Sequence, residues 1–429
     1  MRYNKELIKK YECDVFVAGG GPAGVAASVA AARQGKSVFL AESQGCFGGL
    51  GTAGLVPAFA QFYDGVNCLA DGIGMEIRRN VSKETPYKAL CATIHVEELK
   101  YEYDRIVREA GVKFSFFTTL YDVITDGDNV DYVILGSKSG LFALKAKVYI
   151  DCTGDGDLCY FGGGEYELGD ENSVVMPQTL CSLWANISED CEKALYNRYV
   201  EEAYAEGIFT QEDRHVPGFS HAPCGIAGGN FGHTFDKNPV DEVSLTEAML
   251  EGRRQVTEFE KYFKKYFKGY ENMELVATSD VAGVRESRRI TCDYTLNVND
   301  FINRSVFEDE IGRYCYPVDI HVKSTDKEEY EKFLKEFNQD LRYAKGESYG
   351  IPLRSLIPVS FSNVLVAGRC IGTDQKMQAS IRVMPGCFIT GQAAGVAAAL
   401  AVDTLNTRKI NVKEVQKRLK ELGAYLPNS

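Results

Sequence analysis

The chain is short of several things, and each shortage narrows what it can be. Thirteen cysteines are scattered through 429 residues with no C-x-x-C or C-x-x-x-x-C pair and no metal-ligand spacing. That speaks against a dithiol relay or an iron–sulfur centre and lends no support to a disulfide framework or a zinc site. Most of these cysteines read as reduced, buried, small hydrophobes. Positive charge is also scarce: 48 Lys and Arg face 60 Asp and Glu, a net charge of −12. Nucleic acid and anionic membranes both require a clustered positive field, so neither is expected as a partner. No apolar run reaches the length of a membrane span, and "MRYNKELIKKYEC" carries neither an apolar h-region nor a small-residue cleavage site, so the expected location is cytoplasmic. No internal repeat or low-complexity tract is visible. With 45% hydrophobic residues, 24 Tyr and 23 Phe, there is ample apolar surface to bury, and the length calls for two domains or one large domain with an insertion.

What is present begins with "DVFVAGGGPAGVAASVAAARQGKSVFLAES" (Asp14 to Ser43). Val15 to Ala18 read as a buried parallel strand, Gly19-x-Gly21-x-x-Gly24 opens a helix from Pro22 to Gln34, and Lys36 to Ala41 make a second strand. Gly19 permits the tight turn, Gly21 lets backbone approach a pyrophosphate, and Gly24, with Ala26 and Ala27, lets the helix lie close on the sheet. The phosphates would meet the unpaired N–H groups and positive end of that helix, around Pro22 and Ala23. Glu42, about twenty residues beyond the glycines, is placed to accept hydrogen bonds from ribose hydroxyls. This is a dinucleotide fingerprint, and it suits either NAD or FAD.

Three further features favour FAD. "SQGCFGGLGTAG" (Ser43 to Gly54) is a glycine-rich loop too long for a plain NAD domain, and through Ser43, Gly48, Gly49, Leu50 and Thr52 it would reach the far phosphate and flavin end of an extended cofactor. Val112 to Cys152 reads as consecutive short strands with turns at "DGDN" and "SKSG", a β-meander that ends in "AKVYIDCTGDGD". Asn363 to Val402 then reads as a strand, a glycine turn, a loop and a small-residue helix starting near Pro385. The positive end of that helix, aimed at a flavin, would stabilise the negative charge of the reduced ring at N1 and C2=O.

These segments, with "GVRESRRI" (Gly283 to Ile290) and "YGIPLRSLIP" (Tyr349 to Pro358), resemble the glutathione-reductase-type flavoproteins. Specifically, the chain resembles the bacterial FAD-dependent oxidoreductase family, distantly similar to the fumarate reductase and succinate dehydrogenase flavoproteins. The matching motifs span nearly the whole chain. The resemblance implies FAD, with Thr153 and Gly154 of "IDCTGDGD" and the late Gly368 at the cofactor; Cys46 and Cys387 could each touch the flavin or link to it, but burial is their default and non-covalent FAD is expected. By the same carry-over, Tyr121 touches adenine, and Arg382, Val383 and Met384 sit at the flavin pyrimidine edge. One departure matters. Many such proteins have an Asp directly after the late Ala-Gly, whereas here Arg369 follows Ala367-Gly368, leaving Asp374 as the candidate for the ribityl contact.

The expected fold class is α/β: a Rossmann-like FAD-binding domain with an inserted β-meander, plus a second α+β substrate domain inserted in the chain. The first comprises residues 1–164 and 350–429, the second 165–349. In the second, Thr179 to Ile187 alternates like a strand and Glu189 to Glu206 reads as a charged amphipathic helix. Ser244 to Phe267 reads as a long helix with a Ser244 cap and Glu247 at the capping-box position, and Asp326 to Gly346 as a mostly polar helix. An amphipathic helix from Val412 to Leu422 closes the chain.

A flavin exchanges hydride or electrons itself, so the protein need only position the substrate, move protons and steady charge. The catalytic candidates are His233, one of only five histidines, and Arg285, whose guanidinium suits an anionic substrate. Their plainer roles are a structural histidine and a salt bridge to Glu286. Lys376 and Gln378 are further pocket candidates. Cys46 lies in the flavin-side loop and Cys387 in the first turn of the late helix, where the dipole favours a thiolate. No second G-x-G-x-x-G appears, which argues against a built-in NAD(P)H site. The expected activity is hydride transfer between FAD and a small polar organic molecule, such as a carboxylate or sugar-derived acid, in an interdomain cleft. The alternatives are a flavin subunit passing electrons between partner proteins and a flavin-binding protein with a structural or sensory role. No metal is expected, and the oligomeric state is left open.

Overall fold

Val15 to Ala18 are buried, on a strand (Lys9–Ala18) with parallel neighbours on both sides. A strand covered on both faces has no solvent side, so its run is apolar without alternation. The computed structural model describes residues 6–82, 89, 91–193, 195–222 and 224–429. From one edge the sheet runs Lys113–Ser115, Val38–Ala41, Lys9–Ala18 and Gly140–Asp151, all parallel. There it forks. The start of Gly140–Asp151 pairs antiparallel with Asn129–Ser137, and that strand with Thr119–Asp126, while Tyr149–Asp151 pair parallel with Val364–Val366. The meander's last strand is therefore also a central strand of the Rossmann-like sheet. The ends of four parallel strands, at Ala18, Ala41, Asp151 and Val366, come out on one side of the sheet, where α/β proteins bind ligands.

Two helices that start about 360 residues apart in the chain pack against each other. They are Pro22–Arg33 and Met384–Ala401, and their contact is made of small residues at i, i+4 spacing. A Cβ on Gly391 would stand 2.2 Å from the Ala23 carbonyl oxygen, and one on Gly395 2.2 Å from that of Ala27. Only glycine allows this approach. By length and composition Met384–Ala401 could cross a membrane, contrary to the expectation that no run would reach that length. It is instead a core helix, apolar all round because it is buried all round.

The middle of the chain builds a four-stranded antiparallel sheet, in the order Phe219–His221, Ala227–Gly229, Ser182–Ala185, Glu274–Thr278. The helix Glu242–Tyr266 joins it to form a separate, aromatic-rich core around Trp184, Phe231, Phe259, Tyr262, Phe263 and Tyr270. From Ile290 the chain returns to the first core, which takes in Phe301, Ile311, Tyr314 and Val318.

Several expected elements changed extent. Asp241, rather than Ser244, caps the long helix by accepting from the Ser244 N–H at 2.8 Å. Among the described residues of the expected Glu189–Glu206 helix, only Val200–Ala205 are helical. The N–H groups of Ser188 and Glu192 bond to the Gly269 and Lys268 carbonyls instead of to a helical ladder. The polar helix spans Lys327–Lys335, capped by Asp326, and the closing helix spans Val412–Glu421, capped by Asn411.

Candidate active site

The fingerprint turn, the "SQGCFGGLGTAG" loop and the late helix enclose one cavity of about 590 Å³. Gly19 has φ +89, and a Cβ there would lie 2.6 Å from the Cys152 carbonyl oxygen, while one on Gly24 would lie 1.8 Å from that of Gly19. Both glycines exist to fold the turn. Gly21 differs: it lines the cavity, and a Cβ on it would meet nothing within 4 Å. Its missing side chain leaves room for a ligand at the N-terminus of the first helix, beside N–H groups that have no helical partner. Glu42 closes this end, with Oε2 accepting from the Gly20 N–H at 2.7 Å and Oε1 from the Gln44 N–H at 2.7 Å. Its carboxylate is thus fixed at the cavity wall with lone pairs to spare.

Asp151 organises the next wall. It accepts from Thr153 N and Oγ1 at 3.1 and 2.7 Å and from Cys159 N at 3.0 Å. Arg369 clamps that turn to the late segment, donating to the Gly154 carbonyl at 3.0 Å, to Asp155 at 2.6 Å and to the Val284 carbonyl. The far end is formed by Arg382, Met384 and Cys387, where the late helix begins. Burial pushes the Cys387 thiol up to about 12, so it is neutral, contrary to the thiolate expected from the helix dipole. Burial raises the Cys46 thiol as well.

Behind Arg382 lies a cluster of buried polar groups. Arg382 donates to Asp319 at 3.2 Å, and Asp319 stands 3.4 Å from His321 Nε2. His321 Nδ1 faces His233 Nε2 at 2.8 Å, and His233 Nδ1 faces Asp213 at 3.1 Å. His215 stacks on His233 with ring centroids 4.4 Å apart. Burial lowers all three imidazoles, His215 and His321 well below the usual histidine range. Arg285 completes the cluster. It donates to the Pro177 carbonyl at 2.9 Å and Thr179 Oγ1 at 2.8 Å, and its other nitrogen is 3.5 Å from His215 Nε2. Burial, and then the charge of Arg382, lowers Arg285 to about 10, which leaves it charged at neutral pH.

The cavity meets the requirements of an extended dinucleotide. It offers a side-chain-free helix N-terminus for phosphates, a fixed carboxylate near that turn for a ribose and a second helix N-terminus at the other end. A family model described as FAD dependent oxidoreductase matches residues 14–419. The chain belongs to this family. Its cofactor is FAD, and it is an oxidoreductase. A search of curated proteins found no match. Among solved structures, a geranylgeranyl bacteriochlorophyll reductase-like protein from Thermoplasma acidophilum is 11% identical over 96% of this chain and 83% of its own, with a TM-score of 0.48. A flavin-dependent brominase is 13% identical over 96% and 83%, at 0.47. The p-nitrophenol 4-monooxygenase of Pseudomonas putida is 12% identical over 96% and 84%, at 0.43. Similarity this low bears on neither reaction nor substrate.

Of the residues expected at the cofactor, the oxidoreductase brings Gly19, Gly21, Pro22, Ala23, Glu42, Ser43, Gly49 and Leu50 to the cavity wall. Thr153, Gly154, Gly368, Arg369, Arg382 and Met384 line it as well. Others stand back from it. Gly24 packs beneath the turn, Gly48 (φ +106) shapes the loop, Thr52 spends its hydroxyl on the Phe47 carbonyl, and Val383 caps the late helix. Tyr121 is mostly exposed and lies over Gly136 in a separate hollow, while Thr118, Thr119 and Leu120 reach the cavity in its place. Asp374 caps the helix Gln375–Ile381. His233 and Arg285 both pack against His215, and neither lines the cavity.

Sequence reasoning missed the opposite wall, which includes Leu245, Met249, Asp280 and Val281. It also missed His215 and His321 as partners of His233. The available signal was scarcity, because three of only five histidines meet here.

Proposed function

We propose that this oxidoreductase transfers hydride between FAD and a small anionic organic molecule, a carboxylate or sugar-derived acid. In this reading residues 1–164 and 350–429 hold the cofactor and 165–349 the substrate. The observation that carries it is Arg285. Its neighbours Arg288 and Arg289 pair with Asp157 and Glu286, but Arg285, only 6% exposed, makes no salt bridge among the described residues. The Glu286 partner considered for it is taken by Arg289. A buried charge without a direct counter-ion favours an anionic ligand, and a guanidinium grips a carboxylate with two parallel hydrogen bonds.

FAD, when bound, supplies the two-electron chemistry. Arg382, which lines the cavity, would meet the acid group, with the buried charge of Arg285 behind it drawing the anion toward the cluster. Asp213 holds His233 through Nδ1, and its Nε2 is turned to His321 Nδ1 at 2.8 Å, so His233 acts through the cluster and not on the substrate directly. Anaerobic mixing with a panel of carboxylates and sugar acids tests the reading. The expected result is flavin bleaching or reoxidation by one of them, with KM raised at least tenfold in Arg285→Gln because the buried positive charge is lost. Reduction only through a partner protein would favour an electron-transfer subunit instead.

A further inference from the structure

We propose that His215, His233 and His321 form a binding site for a divalent first-row transition metal, with a coordination position left open beside Arg285. Three separate loops deliver the three imidazoles, and one ligand atom from each lies within 4.8 Å of the others. Metal–nitrogen bonds of about 2.0–2.1 Å place the ligands of a tetrahedral ion about 3.3 Å apart, so the site asks His233 Nε2 and His321 Nδ1, now 2.8 Å apart, to open slightly and His215 to turn toward them.

The tautomers are compatible with a shared cation. A neutral imidazole has one N–H and one lone pair. Asp213 holds the His233 proton at Nδ1, 3.1 Å away, which turns the Nε2 lone pair to His321 Nδ1 at 2.8 Å. Without metal, His321 Nδ1–H can donate across that gap. With the His321 proton moved to Nε2, on the side of Asp319 at 3.4 Å, both facing nitrogens offer lone pairs to one cation. Carboxylate–imidazole–metal is also the usual way a protein fixes the ring orientation of a metal-bound histidine.

A second observation concerns the carboxylate behind His233. Asp213 is 5% exposed and has no Lys or Arg partner, and its Oδ2 is buried without a hydrogen bond among the described residues. Asp319, by contrast, has Arg382. Imidazole ligands suit zinc, iron, copper or nickel and not magnesium or calcium. Three protein ligands leave a position for water or for an anion that Arg285 also contacts. The site itself does not depend on the hydride-transfer reading, because metal can be counted in protein whose substrate is unknown.

The test uses the full chain with FAD bound. Metal would be stripped with a chelator, Zn²⁺ or Co²⁺ returned by dialysis, and metal and FAD counted separately. The expected result is about one ion per chain in the wild type, with Co²⁺ absorption at wavelengths beyond the flavin bands. His233→Ala and His321→Gln should lose at least 100-fold in metal affinity while retaining FAD, and His221→Ala, outside the cluster, should match the wild type. Wild-type holoprotein that takes up no ion from micromolar Zn²⁺ would overturn the proposal even if no variant folds. So would cluster variants that bind metal as tightly as the wild type.

Discussion

Gly391 lies so close to Ala23 that a methyl group on it would stand 2.2 Å from the Ala23 carbonyl oxygen. This contact sets the distance between the two helices whose N-termini form the cavity, so a residue far along one helix controls geometry at its start. Gly391→Ala should cost about 1–3 kcal/mol through overpacking and weaken FAD binding by separating the two ends. Thermal unfolding with and without added FAD measures both effects. Unchanged stability would show that the helices can part freely.

The surroundings of Asp157 predict a pH dependence with a definite sign. Burial, then the nearby charges of Asp155 and Asp151, push its carboxyl up to about 7, against the pull of Arg288. In the unfolded chain an aspartate titrates near about 4. The contribution is therefore fully present below about pH 4 and is lost as pH rises through about 7. Asp157→Asn, which has no proton to lose, should flatten the decline in melting temperature across that interval. Parallel wild-type and variant curves would contradict the assignment.

Cys387 lines the cavity as a neutral thiol that donates to the Arg382 carbonyl at 3.2 Å. It should resist alkylation at pH 8 in the folded protein, and FAD should leave the chain completely on acid precipitation, in wild type and in Cys387→Ser alike. Flavin that stayed with the wild-type precipitate but not with the variant would instead indicate a covalent link.

How much of this was legible in the sequence depended on how local the cause was. The turn from Ala18 to Gly24 and the strand–helix pair around Val364 and Met384 follow from residues adjacent in the chain. Glu42 was readable because its distance from the glycines is set by one helix and one strand. The segment after Ser188 was misread because its charge pattern fits a helix, while its N–H groups go to the distant carbonyls of Gly269 and Lys268. Tyr196 is held there too, through the Tyr270 hydroxyl. The imidazole cluster was invisible for the same reason, since nothing near His215 in sequence indicates that His321 will face His233. Arg285 was picked for its chemistry, but its position behind the wall depends on the path of three loops.

The account rests on Gly21 being empty for the sake of a ligand rather than for the fold. Its backbone angles, φ −64 and ψ −177, suit any residue, and a Cβ there would enter the cavity with no protein atom within 4 Å. The decisive measurement is FAD bound per chain in Gly21→Val beside wild type, with thermal unfolding of both without cofactor. The account predicts equal stability without FAD, about one flavin per wild-type chain and a colourless variant. A variant that unfolds with the wild type and binds FAD as tightly would contradict it.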